Sequence, residues 1–354
     1  LIDDYFELIV ETIAADRKMT PEAVKSAIDT GPHTAGAAKK LGLIDRVAYE
    51  DEVRDLVTKE FGAAKIAEKY GKKKIDTDFS GLAGMMKMMN LMMGVEPRGR
   101  ASGNAKIAVV YASGIIMTGR SMSDMLGGEV LGSETLVAAI EKAAADKDVK
   151  AIVLRIDSPG GSALASDLMW RALKKCDKPV VASMGNTAAS GGYYIAAGTD
   201  AIFAEPGTLT GSIGVVGGKL AIGGVFEKIG LTTTVISRGQ NSGALSGNSG
   251  FSDTERAAMR KLMEDIYDQF TGKVADARPL SLEEVQKLAR GRVYTGRQAK
   301  EDKLVDELGT LDDAIQHAKK LAGIAPETEV DRLVLPKPTS PFEALFGPID
   351  GDVR

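Results

Sequence analysis

Two short stretches of this 354-residue chain carry residue types suited to nucleophilic chemistry. In Asn186-Thr187-Ala188-Ala189-Ser190-Gly191-Gly192-Tyr193-Tyr194, an apolar run ending at Met184 passes into a helical pattern, so Ser190 falls where a strand turns into a helix. Such a turn exposes the serine, the flanking small residues admit another backbone, and the helix N-terminus offers unpaired N–H groups to an anion. Read by itself, the same turn also suits a simple capping serine. The second stretch, Asp157-Ser158-Pro159-Gly160-Gly161-Ser162, closes another strand with a Pro-Gly-Gly turn. In a parallel sheet this turn lies at the carboxyl edge, where ligands bind. A serine hydroxyl attacking a carbonyl creates a tetrahedral oxyanion, and two preset N–H donors, one from Gly160 or Gly161 and one from Gly191, are placed to bind it.

A nucleophilic serine needs a base. The two histidines, His33 and His317, lack the context of a catalytic partner and read as packing or surface residues. The sequence around Ser190, Ala-x-Ser-Gly-Gly, also departs from the Gly-x-Ser-x-Gly elbow of the α/β-hydrolases. A serine–lysine dyad remains, because burial depresses a lysine pKa and frees its amine. Cys176, the single cysteine, excludes an internal disulfide and cannot build a zinc site; it reads as a helix-face residue. Neither a cofactor nor a metal is indicated.

The elements that must hold these stretches alternate. Strands are expected at 107–111, 151–156, 180–184, 201–204 and 232–237, and helices at 133–145 (capped by Ser133), 162–175, 253–277, 281–289 and 295–303. This spacing predicts an α/β fold with a mainly parallel sheet covered by helices. The net charge of −4 provides no basic field, which argues against nucleic acid as a partner. No apolar run reaches membrane-spanning length, and the methionine cluster 85–93 reads as a packed helix.

The chain repeats itself. Asp4, Ala14, Arg17, Glu22, Thr34, Leu43, Asp45 and Asp51 recur 261 positions later as Asp265, Ala275, Arg278, Glu283, Thr295, Leu304, Asp306 and Asp312. A full α/β segment precedes the second copy, so the expectation is a tandem-repeat protein whose first unit is incomplete. The expected division is 1–53 as the helical end of a first repeat, 54–104 as a helix and Met-rich linker, 105–325 as a complete catalytic repeat, and 326–354 as a tail.

Asp157-Ser158-Pro159-Gly160-Gly161, Ala189-Ser190-Gly191-Gly192-Tyr193-Tyr194, Thr208-Leu209-Thr210-Gly211-Ser212-Ile213-Gly214-Val215 and Val293-Tyr294-Thr295-Gly296-Arg297-Gln298-Ala299 together resemble the signal peptide peptidase A family, the serine proteases grouped with protease IV. The resemblance covers nearly the whole chain. It implies a Clp protease and crotonase-like α/β spiral, doubled in the family's long form, with Ser190 as nucleophile. It also implies apolar peptide substrates such as signal peptide remnants, homo-oligomeric assembly, and a bacterial inner-membrane location facing the periplasm or outside, with the membrane attachment in a segment not in this chain. One departure stands out. In the single-unit form the lysine base lies in the segment matching Arg238–Gly247, where this chain has no lysine; in the long form the first unit supplies it, which places it upstream of Leu1. Lys219 is the nearest downstream lysine and reads as structural. The leading expectation is therefore a serine endopeptidase half-site, nearly inert without its base. A crotonase-like acyl-CoA enzyme, which would need a carboxylate base and a CoA cleft, and a catalytically silent assembly fragment are the alternatives.

Overall fold

The computed structural model describes residues 1–62, 105–123 and 129–336. The methionine cluster, the expected linker and the end of the C-terminal tail lie outside them. The chain forms two compact units, Leu1–Ala27 with His33–Gly103 and Ile28–Pro32 with Asn104–Arg354.

In the first unit, helix α1 (Ile2–Arg17) is followed by α2 (Pro21–Asp29), α3 (Ala35–Lys40) and α4 (Glu50–Phe61). Thr34 caps α3 by accepting the Ala37 N–H, and Arg17 pairs with Asp45 at 2.9 Å while donating to the Leu43 carbonyl.

The second unit is built on one sheet. Its strands are β1 (Lys106–Ser113), β5 (Val149–Ser158), β6 (Val180–Ala189), β7 (Ala201–Ala204), β8 (Leu209–Gly211), β9 (Val293–Thr295), β10 (Glu307–Leu308) and β11 (Asp331–Leu335). The order β10-β7-β6-β5-β1-β11 is parallel throughout, and β8 pairs parallel with the end of β6 and antiparallel with β9. Three short strands, β2 (Ile115–Met117), β3 (Met122–Ser123) and β4 (Glu129–Gly132), make a separate small sheet. Helices α5 (Ser133–Ala145), α6 (Ala163–Lys175), α7 (Gly191–Ala196), α8 (Gly223–Lys228), α9 (Asp253–Ala277), α10 (Leu282–Leu288), α11 (Gly296–Glu301) and α12 (Leu311–Leu321) complete it. The central strands β1, β5 and β6 are apolar on both faces because both are covered: Ile152, Leu154 and Ile156 face a core with Met169 and Ile195, while Val153 and Val181 face one with Ala314 and Ile315. The fold is α/β with a mainly parallel sheet, as the alternation predicted.

Several local expectations are corrected. Residues 232–237 form no strand: every one is exposed and none has a ladder partner, so β-branched residues alone do not make a strand there. Gly132, not Ser133, is the N-cap of α5, and the Ser133 hydroxyl instead accepts the Gly119 N–H. Cys176 is the C-cap of α6 rather than a residue on its face. The sheet also continues beyond 325, since β11 pairs with β1 from Lys106↔Asp331 to Val110↔Leu335.

The numbering offset seen in the sequence recurs in the elements. Shifted by 261, α3 at 35–40 falls on α11 at 296–301, and both have a capping threonine, Thr34 and Thr295. Arg278 pairs with Asp306 at 2.8 Å, as Arg17 does with Asp45.

Candidate active site

Strand β6 delivers Ser190. Its last residues leave β7 and pair with β8 instead, Thr187↔Leu209 to Ala189↔Gly211, and the Thr210 hydroxyl donates to the Ala188 carbonyl at 2.7 Å. Helix α7 begins at the next residue, so the chain must turn sharply at Ser190. It does so at φ 53 and ψ −118, a left-handed conformation unusual for a residue with a Cβ. Two backbone bonds hold the strained residue: Ser190 N–H donates to Gly211 O at 2.9 Å, and Tyr194 N–H donates to Ser190 O at 2.9 Å.

Strand β5 delivers the facing turn. Gly160 and Gly161 have φ +96 and +153, and their lack of a Cβ is what permits the approach. A Cβ on Gly160 would stand 2.5 Å from Gly191 N and 2.8 Å from both Ala189 O and Ser190 Cβ. A Cβ on Gly161 would stand 2.1 Å from Ile116 O, because Gly161 forms a parallel bridge with Ile116. A Cβ on Gly191 would meet the Ser166 hydroxyl at 2.4 Å. The four residues singled out in the sequence, Gly160, Gly161, Ser190 and Gly191, therefore meet at the carboxyl ends of β5 and β6, flanked by the N-termini of α6 and α7.

The N–H groups at this junction differ. Gly160 N–H donates to the Ser158 hydroxyl at 3.1 Å, and that hydroxyl in turn donates to Gly114 O at 2.7 Å. The bridge with Ile116 uses Gly160 O and Ser162 N–H, at 2.9 and 2.8 Å, which turns the Gly161 N–H away from Ile116. Among the described residues, neither Gly161 nor Gly191 donates its N–H to a protein acceptor. Asp157 steadies the approach of the two strands by accepting the Thr187 N–H at 3.1 Å. Ser158 was missed in the sequence as a supporting residue; its place before a Pro-Gly-Gly turn was the available signal.

The other candidates have different partners. Lys219 lies with its ammonium 3.8 Å from the Glu255 carboxylate, 3.1 Å from Gly243 O and 4.7 Å above the Phe251 ring, its side chain only 8% exposed. His33 contacts Ala27 O at 2.8 Å and the His317 ring packs at a tilt against Phe203, both packing roles. Beneath α7, Lys273 is ion-paired with Asp167; burial pushes its pKa down, against the opposing pull of that carboxylate. No three His, Cys, Asp or Glu side chains among the described residues are grouped so as to hold a metal ion.

A serine strained at a strand-to-helix turn is thus faced by a glycine turn with unused N–H groups, the donors that a tetrahedral oxyanion requires. Residues 172–325 match the model of peptidase family S49. The chain is 33% identical over 356 residues to the chloroplastic serine protease SPPA of Arabidopsis thaliana, covering 100% of this chain and 50% of the relative. It is 34% identical over 333 residues to Protease 4 of Salmonella typhi, covering 91% and 50%. With a protein of Synechocystis sp. named as a protease, identity is 40% over 218 residues, covering 61% of this chain and 79% of the relative. The chain belongs to peptidase family S49. It spans about half the length of the first two relatives. Among solved structures, a point mutant of ClpP1 from Listeria monocytogenes is similar at a TM-score of 0.40 and 16% identity, over 58% of this chain and 94% of that one.

Proposed function

We propose that the chain carries the nucleophile and oxyanion hole of a serine endopeptidase that cleaves apolar peptides, signal peptide remnants among them. The observation that carries this reading is the strained Ser190 packed against the Gly160 turn. Ser190 Oγ attacks the scissile carbonyl carbon and its proton passes to a lysine amine. The oxyanion accepts hydrogen bonds from the Gly161 and Gly191 N–H groups. Collapse to the acyl-enzyme expels the amine with that proton, and water then hydrolyses the ester. Gly160, its own N–H held by Ser158, serves by allowing close approach.

The lysine comes from a preceding α/β unit in a tandem repeat. Three observations support this: the segment 238–247 holds no lysine, Lys219 is committed to Glu255, and the two long relatives are twice the length of the chain. The faces of equivalent helices support it too. On α9, Phe270 is 3% exposed and packs on the α/β core, whereas its offset equivalent on α1, Ile9, is 52% exposed and beside the exposed Tyr5 and Leu8. A face built to cover an α/β core has that core as its natural partner. On this reading 1–53 is the end of a first repeat, 54–104 a connector, and the second repeat begins at 105.

Homo-oligomeric assembly and work at the outer face of a bacterial inner membrane follow from the family relation as part of the same proposal. No helix among the described residues is long and apolar enough to cross a membrane. The test is hydrolysis of an apolar peptide by the full natural protein and its Ser190→Ala variant. Loss of turnover with retained fold supports the reading, and undiminished turnover contradicts it.

A further inference from the structure

The two helices that start at the site are pinned to each other within their first two turns. Helix α6 starts just after Gly161 and helix α7 starts at Gly191, so each carries one of the two unused N–H groups near its N-terminus. Three residues down α7, the Tyr194 hydroxyl donates to Asp167 Oδ1 on α6 at 2.7 Å. The same carboxylate receives the Lys273 ammonium from α9. Lys273 lies 3.6 Å from the centroid of the Trp170 ring and 5.4 Å from that of Tyr194, so its charge is lodged between two aromatic faces and a carboxylate. The Tyr194 ring also packs on Phe270 of α9, with centroids 4.6 Å apart.

A six-residue helix has no stability of its own. Two tertiary anchors orient α7: the buried Tyr193 hydroxyl donates to Leu304 O at 2.8 Å, and this cluster acts through Tyr194. Its side chain is fixed to Asp167, while its backbone N–H holds the carbonyl of Ser190 at 2.9 Å. On α6, Asp167 adjoins Ser166, whose hydroxyl abuts Gly191. A buried charge cluster is a costly way to join three helices when apolar packing would hold them. Its directional bonds instead specify one rotation and one separation of the helices.

We propose that Asp167, Tyr194 and Lys273 are positioning residues that set the spacing of the Gly161 and Gly191 N–H donors and the aim of Ser190. The inference rests on the serine-peptidase reading. It differs from a general stabilising role in acting on the chemical step and leaving substrate binding alone, since all three side chains are largely buried.

Tyr194→Phe is the cleanest probe, because it keeps the ring on Phe270 and removes one hydroxyl. In the full natural protein, measured against an apolar peptide and a phosphonate serine probe, Tyr194→Phe should lower kcat and the maximal labelling rate by about ten- to a hundredfold, less than the outright loss of an oxyanion donor. KM and the probe's half-saturation concentration should change less than about twofold. Asp167→Asn, which keeps an oxygen for Tyr194 but loses the charge for Lys273, should show the same split. Lys273→Met should show it too, and Lys273→Arg, which keeps the charge, should retain much of the parent rate. Parent-like kcat in Tyr194→Phe, or a loss expressed in KM, overturns the inference alone. A parent protein that neither labels nor cleaves overturns the serine-peptidase reading and the inference with it.

Discussion

Gly160 and Ser190 pack so closely that a single added carbon on the glycine would lie 2.8 Å from the serine Cβ. That spacing, shorter than any normal carbon–carbon contact, makes the glycine turn and the serine turn one object. Gly160→Ala should therefore fail twice. Overpacking and a φ of +96 should cost roughly 3 kcal/mol in folding stability, read by denaturant titration. In whatever protein folds, displacement of Gly191 should lower peptide turnover by about a hundredfold or more.

Ser158 predicts a milder effect by a different route. Its hydroxyl accepts from Gly160 N–H and donates to Gly114 O, and the residue is fully buried. Ser158→Ala leaves both backbone groups without a partner, which should cost about 1–3 kcal/mol. The turn that carries Gly161 then loosens, so kcat should drop while KM holds.

Lys219 should behave as a strut. Its buried pair with Glu255, together with the Ser252–Glu255 capping box, ties the start of α9 to the segment around Gly243. Lys219→Met leaves a carboxylate buried without its cation and should destabilise the second unit by about 3 kcal/mol. Ser190 labelling in the folded full-length protein should be unchanged; a collapse of labelling with intact stability would make Lys219 the base.

The Arg278–Asp306 pair predicts an acid limb of stability. Burial pushes the Asp306 carboxyl up, but the hydrogen bonds and charge of Arg278 and the Ile202 N–H outweigh it and hold the carboxyl below its usual range. A carboxyl depressed in the folded state adds stability that is present above its unfolded pKa of about 4 and is lost as pH falls through the lower folded value. The melting temperature should accordingly fall as pH is lowered below about 4. Asp306→Asn should lower it at neutral pH and shrink that acid dependence.

What the sequence revealed depended on range. Ser190, Gly191 and the Gly160–Gly161 turn were legible because strand, turn and helix are adjacent in the chain and glycine marks the close approach. The parallel sheet was legible from the alternation of its elements. The separation of Gly160 from Gly161 as donors was not, since it depends on a hydroxyl bonded to Gly114, 44 residues away. Nor was the pairing of β11 with β1, or the link from Asp167 to Lys273 across 106 positions, for which no local pattern exists. The run 232–237 misled in the opposite sense: its residues suit a strand, but no neighbour pairs with it.

The central claim is that Ser190 is a nucleophile whose base lies in a preceding unit. The most direct measurement is intact-mass labelling with a phosphonate serine probe, applied to this chain, to the full natural protein and to its Ser190→Ala variant. The account predicts one adduct, mapped to Ser190, in the full protein, none in the variant, and little or none in this chain alone. Equal labelling of Ser190 in this chain alone would contradict the divided dyad, and an adduct that survives Ser190→Ala would contradict the site itself.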